Sequence, residues 1–541
     1  MAFGIIIPII LLGAIAMLVV AMIRRGTAKG GQPGGDGSDL LIYLLLAVAV
    51  GTLVFSLASL GRAAFPGGAF VFDPERQVAT ALAGIVVSAP FAVYLWRRQR
   101  ARRVIYPGAA GWTVYLALIE AVFMTSFAIT LFNLLDWLIS DGSEPALSDV
   151  LILGGVIVFH ELAMRATPPS SDAGELPRII GTAAGLVPLA IGLGGLLHRG
   201  LSELYASMAS GNGGGDGFEP LTSLALIITG IPIWWYRWWR PWDGPPGPPR
   251  AAWTFLVSTV SLATTLGAVC VLVAQTLIYL LTDSSAAGAH FDFLATTLAV
   301  GIVAVLVWAH HRWRLGKERT DPVRAYEYMT AAIAMAAGVG AVTTLIAAVF
   351  GESAFVGSSG SAAIAAATVL LVAFLVWFRF WRRGQAAPRG IEASGAPRRF
   401  YLLGLGVIMA LIGAGALIAT FVFIFQAVLG VESLSRSFVA TVTLFLAAGG
   451  AAWHLLRTYV ADRALTASGE AVTPFDVTII CSHPGMLSAR LPKQARVQVI
   501  YRSDESAYID DEMADAIVSA VGTSSSLVWV DETGFRVAPA R

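Results

Sequence analysis

Residues 305–314 read VLVWAHHRWR, an apolar run that stops on Trp308, His310, His311, Arg312, Trp313 and Arg314. Two adjacent histidines suggest a metal site. Tryptophan flanked by arginine suggests the end of a transmembrane helix, because indole rings favour the headgroup level and guanidinium groups stay solvated just beyond it. The second reading decides the fold, since this stretch closes one of many similar apolar runs. Of 541 residues, 56% are hydrophobic and 13% charged, against about 25% charged in a soluble domain. Mean hydropathy is +0.73, and a net charge of +1 gives nucleic acid nothing to bind.

Runs long enough to cross a hydrocarbon core of about 30 Å recur along the chain. Thirteen are expected: residues 5–23, 40–60, 78–96, 112–135, 147–163, 179–197, 219–236, 252–281, 291–309, 328–350, 361–380, 400–429 and 438–456. The first lacks a basic leader and is followed by Arg24 and Arg25, so it reads as a retained helix and not a cleaved signal.

Charge separates the two faces of the membrane. Alternate loops carry 24 Lys and Arg; the intervening ones carry only Arg62, Arg76, Arg199 and Arg436, against thirteen Asp and Glu. The positive-inside rule then places the N-terminus outside and the Arg-rich loops and C-terminus in the cytoplasm, with a bacterial inner membrane as the expected location. Cys270 and Cys481 lie in different environments and read as free thiols.

Six apolar runs end in an aromatic and basic cluster, and the clusters fall into two series. Trp96, Trp238 and Trp381 are spaced 142 and 143 residues apart; His160, His311 and His454 are spaced 151 and 143 apart. Asn133, Gln275 and Gln426 recur near the opposite helix ends at steps of 142 and 151, and Pro90 and Pro232 are 142 apart. The repeating unit is therefore two hairpins. The expected organisation is a leading helix with a Gly-rich linker (1–39), four-helix membrane units at 40–177, 178–323 and 324–463, and a cytoplasmic domain at 473–541. In fold class this is a mainly α, polytopic membrane protein with about 13 transmembrane helices and a small α+β domain. Tandem units opening near RRFYLLGLGV (398–407) and closing on VWAHHRWR (307–314) resemble a bacterial multi-pass family known as a domain of unknown function, number 5671. The resemblance spans roughly residues 40–460 and implies no activity.

Metal binding needs three or four converging ligands, usually with a carboxylate orienting an imidazole. Of the three repeated histidines, His160 alone has an acidic neighbour, Glu161. A convergence of one histidine from each unit on an approximate threefold axis is the one metal geometry open to the chain. Interfacial packing accounts for Trp96, Trp238, Trp308, His310, His311, Arg312, Trp381 and His454, and no metal or cofactor is expected. Glu120, in VYLALIEAVFMTSF (114–127), lies about 13 Å into its helix, near mid-bilayer. An acid at that depth is protonated, paired or cavity-facing, and is a functional-site hypothesis in its own right; the structural alternative is a neutral Glu120 hydrogen-bonded to a neighbouring helix through Thr125 or Ser126. With Asn133, Gln275 and Gln426 it defines a candidate intramembrane polar site.

From about Thr473 the pattern turns from helical to alternating. FDVTIICS and ARVQVIYRS read as strands, DDEMADAIVSAVG as a helix stopped by Gly522, and SLVWVDETGFRVAP as a hairpin. Cys481 and His483 in CSHPG read as ordinary loop, since no third group orients them. The expectation is a non-enzymatic membrane scaffold or sensor whose partners are the bilayer and a protein docked on the cytoplasmic domain, with no nucleic acid. A transporter or channel with a pathway near Glu120 stays open, as does a membrane enzyme.

Overall fold

The computed structural model describes residues 37–64, 74–105, 110–140, 147–166, 175–209, 219–239, 247–281, 287–350, 359–386, 389–430, 436–467, 475–481, 487–491, 495–501, 509–522, 525–531 and 534–539. The expected leading helix at 5–23 and His483 lie outside these residues. The chain divides into two units, Met1–Leu272 with Ser284–Lys317, and Val273–Asp283 with Glu318–Arg541.

In the first unit, α1 (Gly37–Ala64), α2 (Pro74–Ile105) and α3 (Ala110–Ile119) are followed by a π-helical turn, Glu120–Met124, that leads into α4 (Thr125–Ser140). Then come α5 (Leu147–Ala166), α6 (Leu176–Ala209), α7 (Pro220–Trp238), most of α8 (Pro248–Leu281), the short α9 (Ala287–His290) and α10 (Leu294–Leu315). Apolar residues point in all directions around these helices, as a lipid environment requires. Helical geometry satisfies every interior backbone group where water cannot. Pro90, Pro188 and Pro232 lie inside α2, α6 and α7 without ending them.

Among the described residues, eleven helices are long and apolar enough to cross a membrane. This is an integral membrane protein. The seventh expected span forms as α7, but its last turns, Trp234 to Trp238, are aromatic and carry Arg237, which holds it below the apolarity of the eleven.

Lipid offers no hydrophobic drive for helices to associate, so close packing of small residues takes its place. The α6–α7 pair shows this at Gly185 and Gly230. A Cβ on Gly230 would lie 2.6 Å from the Leu189 backbone nitrogen and 2.7 Å from the Gly185 carbonyl oxygen. Gly230→Ala is therefore expected to lower stability in detergent by about 1–3 kcal/mol, because backbone cannot step aside as a side chain can. Gly155→Ala, where an added Cβ meets nothing within 4 Å, is the control. Equal thermal unfolding of the two variants would refute the contact.

The second unit holds α11 (Asp321–Val349), α12 (Ser359–Ala386), α13 (Arg389–Ser394), α14 (Ala396–Arg399), a second π-helical segment Phe400–Leu405, α15 (Gly406–Val428) and α16 (Arg436–Ala467). A β-rich segment follows: β1 (Phe475–Cys481), α17 (Leu487–Arg490), β2 (Ala495–Tyr501), α18 (Asp511–Val521), β3 (Ser526–Asp531) and β4 (Gly534–Pro539). The sheet order is β2-β1-β3-β4; β1 is parallel to both β2 and β3, and only β3 and β4 form a hairpin. The β1–β2 connection contains α17 and is long enough to cross over, which makes the pair parallel. Alternation sends Val477, Ile479, Cys481, Val528 and Val530 inward against Leu487, Ile517 and Val521. Asp510 caps α18 by accepting the Met513 N–H at 2.8 Å, and Gly522, at φ +58°, ends it. Cys481 is buried, and burial pushes its thiol up from the ordinary value, so a nucleophilic thiolate is disfavoured there.

Candidate functional site

The aromatic helix ends come together in the same way three times. Trp96 meets His160 with ring centroids 6.0 Å apart, Trp238 meets His311 at 5.3 Å, and Trp381 meets His454 at 5.6 Å. Each histidine is thus held by a tryptophan from the preceding hairpin, which is why the two series recur together. Trp238 Nε1 also donates to His310 Nε2 at 2.7 Å. Trp308 and Arg312 are half-buried, and Arg312 Nη1 donates to the Gly316 carbonyl at 2.6 Å, closing the turn after α10. His160 and His311 share a further feature: Nδ1 faces the carbonyl one turn back, Val156 at 2.8 Å and Val307 at 2.9 Å.

Against this aromatic level the depth of Glu120 can be measured. Trp96, Trp112, Tyr115 and His160 form one ring cluster, and Glu120 lies five residues beyond Tyr115 on the same helix, about 7.5 Å inside the belt. Its partner is not Thr125 or Ser126 but Arg237, from α7. Arg237 Nη2 lies 2.7 Å from Glu120 Oε1, and Arg237 Nη1 donates to Glu161 Oε2 at 2.8 Å. The Glu120 contact is a close approach of charges without hydrogen-bond alignment. Glu161 in turn accepts from Arg165 Nε at 3.2 Å, and Arg165 Nη2 donates to the Tyr236 hydroxyl at 2.9 Å.

All three central groups are buried, with Glu120 4%, Arg237 3% and Glu161 9% exposed. Burying ions is costly, so such a group persists only where opposite charges and hydrogen bonds surround it. Two local features make room. Gly181 of α6 faces the pair, and a Cβ there would lie 2.5 Å from Glu120 Oε1. The π-helical turn begins at Glu120 itself; insertions of this kind re-aim a side chain and occur often at functional sites.

The second unit carries its own cluster, built from residues the sequence reading did not single out. Arg319 reaches Glu327 at 2.9 Å and Glu392 at 2.7 Å, Arg324 reaches Glu392 at 3.3 Å, and Arg383 reaches Glu327 at 3.3 Å. The paired carboxylates Glu327 and Glu392 keep the Arg319 guanidinium above its ordinary value despite partial burial. The Tyr328 hydroxyl donates to Glu392 at 2.7 Å, while Arg398 grips Asp462 through Nε at 2.6 Å and Nη2 at 3.2 Å. These groups tie α11, α12, α13, α14 and α16 together beside the second π-helical segment. Asn133, exposed, is about 20 Å beyond Glu120 along the same helix. Gln275 and Gln426 are half-buried on α8 and α15.

Among the described residues no group of three or more His, Cys, Asp or Glu is placed to hold a metal ion. The chemistry of both clusters is ion pairing at helix ends.

Residues 175–290 and 324–451 match the family model described as Domain of unknown function (DUF5671). The two matches lie in tandem. The first begins at α6 and reaches the end of α9; the second runs from α11 into α16. Residues before 175, including Trp96 and Glu120, lie outside both matches, so the match is shorter than the expected 40–460. Arg237 lies within the first match and Arg398 within the second. No curated protein and no solved structure matches the chain.

Proposed function

We propose that this integral membrane protein is a non-enzymatic scaffold or sensor, in which a helical bundle locked at its helix ends presents the C-terminal domain to a protein partner. The observation that carries the reading is the outer face of the C-terminal sheet. Ile500 and Trp529 flank Ile480 in register on neighbouring strands, and Ile500, Leu527 and Trp529 are 45%, 37% and 41% exposed. Contiguous exposed apolar surface on a folded domain marks an interaction site. The transport reading is weakened by the same geometry that explains Glu120, since a carboxylate clamped by Arg237 against Gly181 lines no open path.

The recurring Trp–His contact supports three four-helix units, two of them DUF5671 domains, after a leading helix, giving thirteen spans in all. The bias of basic residues supports an N-terminus outside and the C-terminal domain in the cytoplasm of a bacterial inner membrane.

The test uses the full chain in its native membrane with a photo-crosslinking residue at Trp529 or, as a buried control, at Ile517. A discrete adduct from position 529, abolished by Ile500→Arg, is the expected result. No adduct from position 529, together with solute flux in proteoliposomes that is lost in Glu120→Gln, would replace the scaffold with a transporter.

A further inference from the structure

Among the described residues the C-terminal sheet leaves one face open. Its inner face packs on α17 and α18 through Leu487, Ile517 and Val521. The middle strand β1 is parallel to both of its neighbours, and sheets built of parallel strands are as a rule covered on both sides. On the outer face the register brings four apolar residues together: Ile480 pairs with Ile500 and Trp529, and Leu527 sits one pair of residues along β3. Ile500, Leu527 and Trp529 are all exposed there.

Charge at the ends of this face decides what can cover it. At one end the exposed Asp476 is the register partner of Arg496; towards the other, Asp531 closes β3 and the exposed Arg536 stands opposite Trp529 on β4. Each end therefore holds a residue of each sign. Anionic headgroups would be repelled by both aspartates, and a strongly acidic or basic protein would lose at one residue what it gains at the next. An identical face has no such conflict, because a two-fold axis can set Arg536 of each copy against an aspartate of the other.

The area points the same way. Four strands, about 4.8 Å apart and about 20 Å long, give a face of roughly 400 Å². Two such faces would bury about 800 Å², against about 1,200 Å² or more for a stable complex in solution. Confinement to one membrane offsets the shortfall by raising the effective concentration. Phe475 follows Ala467, the last residue of α16, by eight positions, at most about 28 Å of chain, so neighbouring chains hold their faces at a similar height.

We propose that the outer face of the C-terminal sheet packs on the same face of a second copy of this chain, sheet on sheet, in one membrane. This rests on reading the face as a protein-binding site and names the protein that it binds. The apolar residues form the centre of the contact, and the charged ends fix its orientation.

The test co-expresses two full-length copies with different affinity tags and puts a photo-crosslinking residue at Leu527, which leaves Trp529 intact. The expected product in native membranes is an adduct of twice the 57.0 kDa chain that carries both tags. Arg536→Asp in both copies should reduce it about tenfold, since like charges then face each other. Arg536→Asp in one copy, with Asp476→Arg and Asp531→Arg in the other, should restore it; Arg463→Gln, an exposed change on α16, should leave it unaltered. An adduct with a different protein would overturn the second copy and keep the partner reading. An adduct with lipid alone, or none, would overturn both. A doubled adduct that survives both Arg536→Asp and Ile500→Arg would put the contact elsewhere in the chain and overturn the sheet face.

Discussion

Arg237→Met should destabilise the membrane part by about 3–5 kcal/mol, because it leaves Glu120 and Glu161 buried without their shared cation. The two acids are 4% and 9% exposed, so water cannot replace the guanidinium without opening the α6–α7 contact. The effect should be strongly non-additive. Adding Glu120→Gln and Glu161→Gln to Arg237→Met should recover most of the loss, since a neutral set of similar shape has no charge to compensate. Thermal unfolding of the purified protein in one detergent, followed by tryptophan emission, measures both. A single mutant as stable as wild type would show that the ion pairs are not buried in the folded protein. A triple mutant no better than the single would show that Arg237 acts through packing and not through charge.

The second large effect is expected at Arg398. Its two-point grip on Asp462 joins α14 to α16, with Arg398 6% and Asp462 8% exposed. Arg398→Met should cost about 3–5 kcal/mol, the range for breaking a buried pair on one side. Arg398→Lys should recover only part of this, because an ammonium keeps the charge but cannot reproduce the fork of two N–H donors. Asp462→Asn alone should also destabilise, and the double variant Arg398→Met, Asp462→Asn should fall well short of the sum. The measurement is the same melt, with Arg463→Gln, an exposed neighbour on α16, as the control. Additive losses would mean that the two side chains do not act as a pair.

Much of the fold is legible in the residues because each signal is local. Apolar runs of membrane length, arginine beyond tryptophan, and Gly522 after the α18 pattern all depend on neighbours within a few turns. The repeat is legible for the same reason: the steps from Trp96 to Trp238 to Trp381 and from His160 to His311 to His454 are visible without knowing what touches what. Glu120 also stands out by itself, as an acid within an apolar run.

Its partner does not. Arg237 belongs to WWYRWWR and reads as one more solvated helix end; nothing within α7 says that it turns inward. That is decided by α6 and α7 packing on glycine, which brings Gly181, Arg237 and Glu120 to one place although Arg237 and Glu120 are 117 residues apart. Glu327, Glu392 and Asp462 do not stand out in the sequence, because each lies near a helix terminus, where a carboxylate reads as solvated. The parallel pairing of β1 with β2 is hidden as well, since alternation gives a strand its faces but not its neighbour.

The sequence by itself determined that this chain is a membrane protein of many apolar helices, that those helices end in aromatic and basic clusters, and that the clusters recur at regular steps. These follow from the transfer of side chains between water, headgroup and hydrocarbon, which each residue undergoes individually. Only the tertiary structure decided which charges are buried and which are paired with which. Those outcomes depend on distances between side chains far apart in sequence, and such distances arise only when the helices pack.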